Sequence, residues 1–216
     1  SSADTQGYVI YLFNGLSYDS IGAVAGINNL FFSYPSALTN SELASEVFTV
    51  AAYDSCKNLS PVATNHKTIF LEATLAKCEG VAQLKWSPYV NMAGGLSRYE
   101  IWYRENGGPW IIDGSTLSTV LTYDLVLQTP GANYEVLIHA VGNNGKSSSS
   151  NVAAVLADIF TQPEFLYVRY ASVSGSAVQL RCHADPAADT KTYHFFRANS
   201  QNGNFTEIGS VPFDPS

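Results

Sequence analysis

The sequence predicts an all-β chain, a row of small two-layer β-sandwiches rather than one large interior. Three observations lead there. An aromatic run recurs at a near-constant interval, as Tyr8-Val9-Ile10-Tyr11, Tyr99-Glu100-Ile101-Trp102 and Tyr193-His194-Phe195-Phe196, the starts lying 91 and then 94 residues apart. Short windows alternate apolar and polar residues, the period that puts one set of side chains on one face of a strand. Polar turn clusters punctuate those windows, and no long window carries a helical period with caps. The best helical candidate, residues 36–46, is short.

The elements follow in order. Each aromatic run leads to an Asn-Gly pair, at Asn14-Gly15, Asn106-Gly107 and Asn202-Gly203. Between two β-rich runs this is the strongest short hairpin signal, because both residues tolerate positive φ. An aromatic follows each pair (Tyr18, Trp110, Phe205), and then a glycine (Gly22, Gly114, Gly209). Upstream of the second and third runs, VAQLKW at 81–86 matches AVQLRC at 177–182. Ala82, Leu84 and Trp86 point one way, and Gln83 and Lys85 the other. Downstream, residues 48–62 match 136–152, and across residues 134–140 Tyr134, Val136, Ile138 and Ala140 alternate with Glu135 and His139. A repeat of ninety-odd residues suits one seven-stranded sandwich of about 100 residues.

The second unit resembles a fibronectin type III domain, an immunoglobulin-like β-sandwich. VAQLKW is similar to that family's second strand, ending in the buried Trp86. SRYEIWYRENGG resembles its third strand and turn, and TPGANYEVLIHAV resembles its segment PGxxYxVxVxAV, with Tyr134 as the tyrosine corner. CEGVAQLKWSPYVN, YEIWYRENGGPW and the later DPAAD segment resemble tandem modules of large secreted or cell-surface proteins of Bacteroidetes. Departures exist: Cys182 stands at the strand-two Trp of the third unit, and Glu46 at the corner Tyr of the first. The domain reading is a partial module at 1–67 holding C-terminal strands, a complete one at 68–160, and a partial one at 161–216 holding N-terminal strands. Short segments around NHKTIFLEAT and ADIFTQPE join them.

Charged residues make up 13% of the chain, about half the usual share of about 25%. The net charge of −7 and acidic pI of 4.9 argue against nucleic acid, whose binding needs a basic stripe. No run of residues is apolar enough for membrane insertion. Cys56, Cys78 and Cys182 are odd in number and form no CxxC or Cys/His cluster. Cys182 and His183 are adjacent on a strand, so they face opposite sides and make no nucleophilic pair. His66, His139, His183 and His194 show no metal spacing. Asp185 and Asp189 suit a loop better than a Ca²⁺ site, and the glycine-rich turns match no phosphate loop. Asn58 and Asn204 begin formal glycosylation sequons.

No catalytic, metal or cofactor-binding residues are therefore expected. Trp102 should face away from the core and, with Trp110, form an aromatic strip able to meet a partner or a sugar ring. The resemblance implies a non-catalytic extracellular scaffold, spacer or adhesion module contacting other proteins or neighbouring modules of the same polypeptide. The alternative is a carbohydrate-binding or accessory module of a secreted glycan-degrading enzyme.

Overall fold

The computed structural model describes residues 4–213 and is nearly all β. Sixteen strands occur among the described residues, and the window 36–46 holds a three-residue 3-10 helix, Ser36–Leu38, and a turn but no α-helix. Among the described residues no helix is long and apolar enough to cross a membrane. Two compact units are present, residues 1–158 and 159–216.

The first unit opens with a sheet of β1 (Thr5–Phe13), β2 (Tyr18–Ala25), β3 (Val47–Asp54) and β4 (His66–Lys67), in the order β2-β1-β3-β4. The two residues of β4 pair with the start of β3. Immediately beyond them Ile69 is buried and bridges Ser150. The chain thus passes from one sheet edge into the next module without a free linker.

That next module has β5 (Leu71–Ala76), β6 (Val81–Trp86), β7 (Leu96–Glu105), β8 (Ile111–Leu117), β9 (Thr122–Val126), β10 (Asn133–Gly142), β11 (Ser147–Ser149) and β12 (Ala153–Leu156). One sheet is β5-β6-β9. The other runs β11-β10-β7-β8, with β12 also on β10. Three strands over a larger antiparallel sheet, linked in this order, form the fibronectin type III sandwich.

The strand periodicity explains the core. β10 alternates without a break, so Tyr134, Val136, Ile138 and Ala140 are buried. They face Ala82, Leu84 and Trp86 of β6, and Tyr99 and Ile101 of β7 lie among them. Each large aliphatic side chain buried this way contributes roughly 1.5–3 kcal/mol. Trp86 meets Tyr99 edge-on at 5.5 Å between centroids. The Tyr134 hydroxyl accepts the N–H groups of Gln128 and Thr129, both at 3.2 Å. It is therefore the tyrosine corner that the resemblance implies.

At the equivalent place in β3's lead-in, Glu46 is buried and its Oε1 accepts the Asn40 N–H at 2.9 Å. The carboxylate reaches back six residues, as Tyr134 does to Gln128, and so does the corner's work. Its Oε2 has no hydrogen-bond partner.

The second unit contains two hairpins, β13 (Leu166–Ser174) with β14 (Ala177–Ala184), and β15 (Thr192–Arg197) with β16 (Thr206–Pro212). β13 and β16 are exposed throughout. A cavity of about 310 Å³ opens between Val178 and Leu180 of one hairpin and Phe195 and Ile208 of the other.

The sequence repeat has a backbone counterpart. In all three aromatic-run hairpins the register slips just before the recurring glycine. Ile10 opposes Gly22 while Tyr11 opposes Ser20, Ile101 opposes Gly114 while Trp102 opposes Ile112, and Phe195 opposes Gly209 while Phe196 opposes Glu207. Each slip is a β-bulge, which bends and twists the strand. The glycines make room for an incoming aromatic: a Cβ on Gly22 would lie 2.6 Å from the Phe32 ring, and one on Gly114 2.7 Å from the Tyr123 hydroxyl. A Cβ on Gly209 would meet nothing.

The Asn-Gly signal holds fully only in the middle hairpin. Asn106 and Gly107 both have positive φ, at 50° and 73°, and the Asn106 side chain accepts the Asn133 N–H at 2.9 Å. In the first hairpin Gly15 alone is left-handed. In the third neither residue is.

Candidate interaction surface

The outer face of the β8-β7-β10 sheet gathers the side chains that point away from the middle core. Alternation along β7 sends Arg98, Glu100, Trp102 and Arg104 outward. The pairing sets Glu135 beside Arg104, Leu137 beside Trp102, and His139 beside Glu100. Ile112 of β8 opposes Trp102, and Leu117 opposes Arg98. Ile112 and Leu117 are 50% and 72% exposed. The centre of the patch is apolar and its rim is charged.

Trp102 faces outward, as the alternation requires, and is half-buried. Its ring lies 5.3 Å from that of His139, and its Nε1 donates to Glu100 Oε2 at 3.3 Å. Glu100 also accepts Arg98 Nε at 3.0 Å. Trp110 sits in the turn after Asn106-Gly107, half-buried, with the Arg104 guanidinium 4.8 Å from its ring centre. Arg104 in turn grips Glu135 in a two-pronged ion pair of 2.8 and 2.9 Å. Hydrogen bonding to Arg104 holds the Glu135 carboxyl below the usual carboxylate range, and the same bond raises the Arg104 guanidinium. The fork geometry fixes Arg104 and thereby Trp110.

The remaining candidates lie elsewhere. His66 shares a 3.0 Å hydrogen bond with Tyr89, beside the Asn91 Nδ2 bond to the Asn65 carbonyl at 2.7 Å. His183 stacks on Phe165, and His194 meets Glu207 at 2.9 Å. Asp185 is buried and accepts the N–H groups of Glu164 and Ala187, while Asp189 accepts that of Thr161. Both carboxylates tie down the segment leading into β13. Asn58 is bonded to Asp54 through its backbone N–H and side chain, which lowers the Asp54 carboxyl. Cys56, Cys78 and Cys182 are free thiols. Among the described residues no three His, Cys, Asp or Glu side chains converge as a metal site would need.

Alternation made Trp102 legible as outward-facing. Ile112 and Leu117 escaped notice because the bulge in β8 sets which of its residues share that face. A strand's own sequence does not reveal such a slip.

No protein-family model matches the chain, and no curated protein does. Solved structures similar to it include pectate lyase PelI from Erwinia chrysanthemi in complex with tetragalacturonic acid, at 18% identity over 41% of this chain, with a TM-score of 0.35. The chain spans 28% of the length of that lyase and of pectate lyase Pel3 from Pectobacterium carotovorum. Three fibronectin domains of chicken contactin match at 11% identity over 70% of this chain and 55% of theirs, with a TM-score of 0.37. A two-domain fibronectin type III segment of chicken tenascin matches at 14% identity over 72% of this chain and 87% of its own, with a TM-score of 0.34.

Proposed function

We propose that this chain is a non-catalytic extracellular scaffold and adhesion segment, whose middle module contacts proteins or neighbouring modules through the outer face of β8-β7-β10. One observation carries the reading. Half-buried Trp102, with exposed Ile112 and Leu117, forms an apolar centre rimmed by the ion pairs Arg98–Glu100 and Arg104–Glu135. An apolar centre carrying aromatics and arginines, with a polar rim, is the anatomy of a protein contact. The joint at β4 supports the spacer role, since it leaves no loose residues to fold back. The resemblance to tandem modules of secreted and cell-surface proteins of Bacteroidetes supports the extracellular placement.

The carbohydrate-binding alternative needs aromatic rings with a free face. Here the Trp102 ring has His139 beside it and Trp110 carries Arg104, which favours a protein partner. A glycan array decides between the two, run with the chain and with Trp102→Ala and Trp110→Ala. No selective glycan binding is expected. Selective binding that both substitutions abolish would replace the scaffold reading with the carbohydrate one.

A further inference from the structure

The chain crosses from the first module to the middle one at residues 65–70, and every residue of that crossing is held. Asn65 Nδ2 donates to the Tyr18 hydroxyl at 3.1 Å. Asn65 also accepts Asn91 Nδ2, at its carbonyl (2.7 Å) and at its Oδ1 (3.1 Å). His66 pairs with Phe48 in the first sheet, and its Nδ1 shares a 3.0 Å hydrogen bond with the Tyr89 hydroxyl. Lys67 pairs with Val47 on one side and bridges Val90 on the other. The Thr68 N–H donates to the Glu46 carbonyl and its Oγ1 accepts the Glu46 N–H, both at 2.8 Å, while its carbonyl accepts Ser87 Oγ at 3.4 Å. Ile69 is 1% exposed and bridges Ser150. The Phe70 N–H donates to Ser87 Oγ and its carbonyl accepts the Ser87 N–H, both at 2.9 Å.

Residues 65–68 thus each touch both modules. Tandem modules ordinarily move relative to one another, because a few residues at a joint absorb the φ/ψ change of a hinge. Here a turn at any of these four breaks bonds on both sides. The Lys67–Val90 bridge alone would be one line of contact, about which two bodies can swivel. The bonds of Asn65 and His66 to Asn91 and Tyr89 add contacts beside that line and brace it. Their far ends are anchored. The Tyr89 N–H donates to the Tyr99 hydroxyl at 2.9 Å, and Tyr99 is wholly buried in the middle core. Asn91 holds a left-handed φ of 64°, which is uncommon outside glycine, and its two bonds to Asn65 offset that strain.

We propose that this crossing is a splint that makes the first and middle modules one rigid strut, with a side-chain clasp of Tyr18, Asn65, His66, Tyr89 and Asn91 that stops the joint from swivelling. The strut sets the angle between the two modules before any partner arrives. A partner that spans both therefore has no joint to immobilise, which removes one ordering cost from binding. The clasp uses no residue of the Trp102 face.

Pulsed electron spin resonance of the whole chain tests this, with nitroxides on the exposed thiols of Cys56 and Cys78 and with Cys182→Ser removing the third. The labels sit on different modules, each on a fixed turn. The Cys56 N–H donates to Asp54 Oδ1 at 2.8 Å, and the Gly80 N–H closes the turn around Cys78 onto the Ala76 carbonyl at 3.0 Å. A single narrow distance peak is expected. Tyr89→Phe combined with Asn91→Gly keeps the ring and permits the left-handed backbone, but removes the clasp. The peak should then broaden while the circular dichroism spectrum stays that of the parent. Asn65→Ala cuts the clasp from its other end and should broaden the peak too. A broad distribution in the parent overturns the proposal, and so does a peak that stays narrow in both folded variants. Trp102→Ser should leave the peak unchanged, which separates this joint from the contact proposed on the middle module.

Discussion

The tyrosine corner offers the sharpest single test of how the middle sandwich is held. Tyr134 is 2% exposed, and its hydroxyl accepts the N–H groups of Gln128 and Thr129 at 3.2 Å while donating to Glu105 Oε2 at 3.2 Å. Tyr134→Phe keeps the ring and its stacking on Tyr103, whose centroid lies 5.9 Å away. The hydroxyl alone is lost, so three bonds disappear with no loss of apolar packing. A neutral bond of this length contributes at the low end of about 0.5–1.5 kcal/mol, and two amides beside a buried site lose their acceptor, so the expected cost is about 2–3 kcal/mol. In a unit of 158 residues that lowers Tm by roughly 4–12 °C. Urea unfolding followed by fluorescence of the buried Trp86 reads the change directly. A loss under about 0.5 kcal/mol at unchanged m-value would refute the argument that the hydroxyl pins the loop before β10.

Four further outcomes follow. Glu46→Ala should cost about 1–2 kcal/mol in urea unfolding, because the Asn40 N–H loses its acceptor, whereas Glu46→Gln should cost less, since it keeps an acceptor and carries no buried, partnerless charged oxygen. Tyr123 donates to Asp113 at 2.7 Å, and that bond, with burial and the carboxylate's charge, pushes its pKa up to about 12. The unfolded chain therefore loses this proton first, and stability falls as pH rises from about 10 through 12. Burial also raises the phenols of Tyr89 and Tyr99, so absorbance titration should show several late phenols, of which Asp113→Ala brings one back towards the ordinary value. Gly114→Ala should displace the Tyr123 hydroxyl and lose that bond, at a cost of about 1 kcal/mol. In the same titration the late phenol that Asp113→Ala shifts should move earlier here too, whereas Gly209→Ala, with open space around it, should be nearly neutral. Arg104→Met should free Trp110 and raise its quenching by acrylamide while leaving the urea midpoint close to that of the parent.

The repeat was readable because residues that build the same layer recur at the same interval. Trp102 was readable as outward-facing because a strand has period two. The recurring glycine was visible as a marker, but its reason was not. Phe32 and Tyr123 reach Gly22 and Gly114 from ten and nine residues further along the chain, and only folding brings them together. Glu46 looked like a defect where a tyrosine was expected. Its carboxylate restores the reach to the backbone six residues earlier, and a residue type alone does not reveal that geometry.

Local chemistry thus determined the strands, their inward and outward faces, and the tandem plan, since alternation and turn preference act within a few residues of one another. Tertiary structure decided the rest: the bulge that chooses which β8 residues join Trp102, and the ion pair that holds Arg104 over Trp110. Each of those depends on register or on a partner strand distant in the chain, and pairing between remote segments is settled by packing rather than by either segment's own sequence.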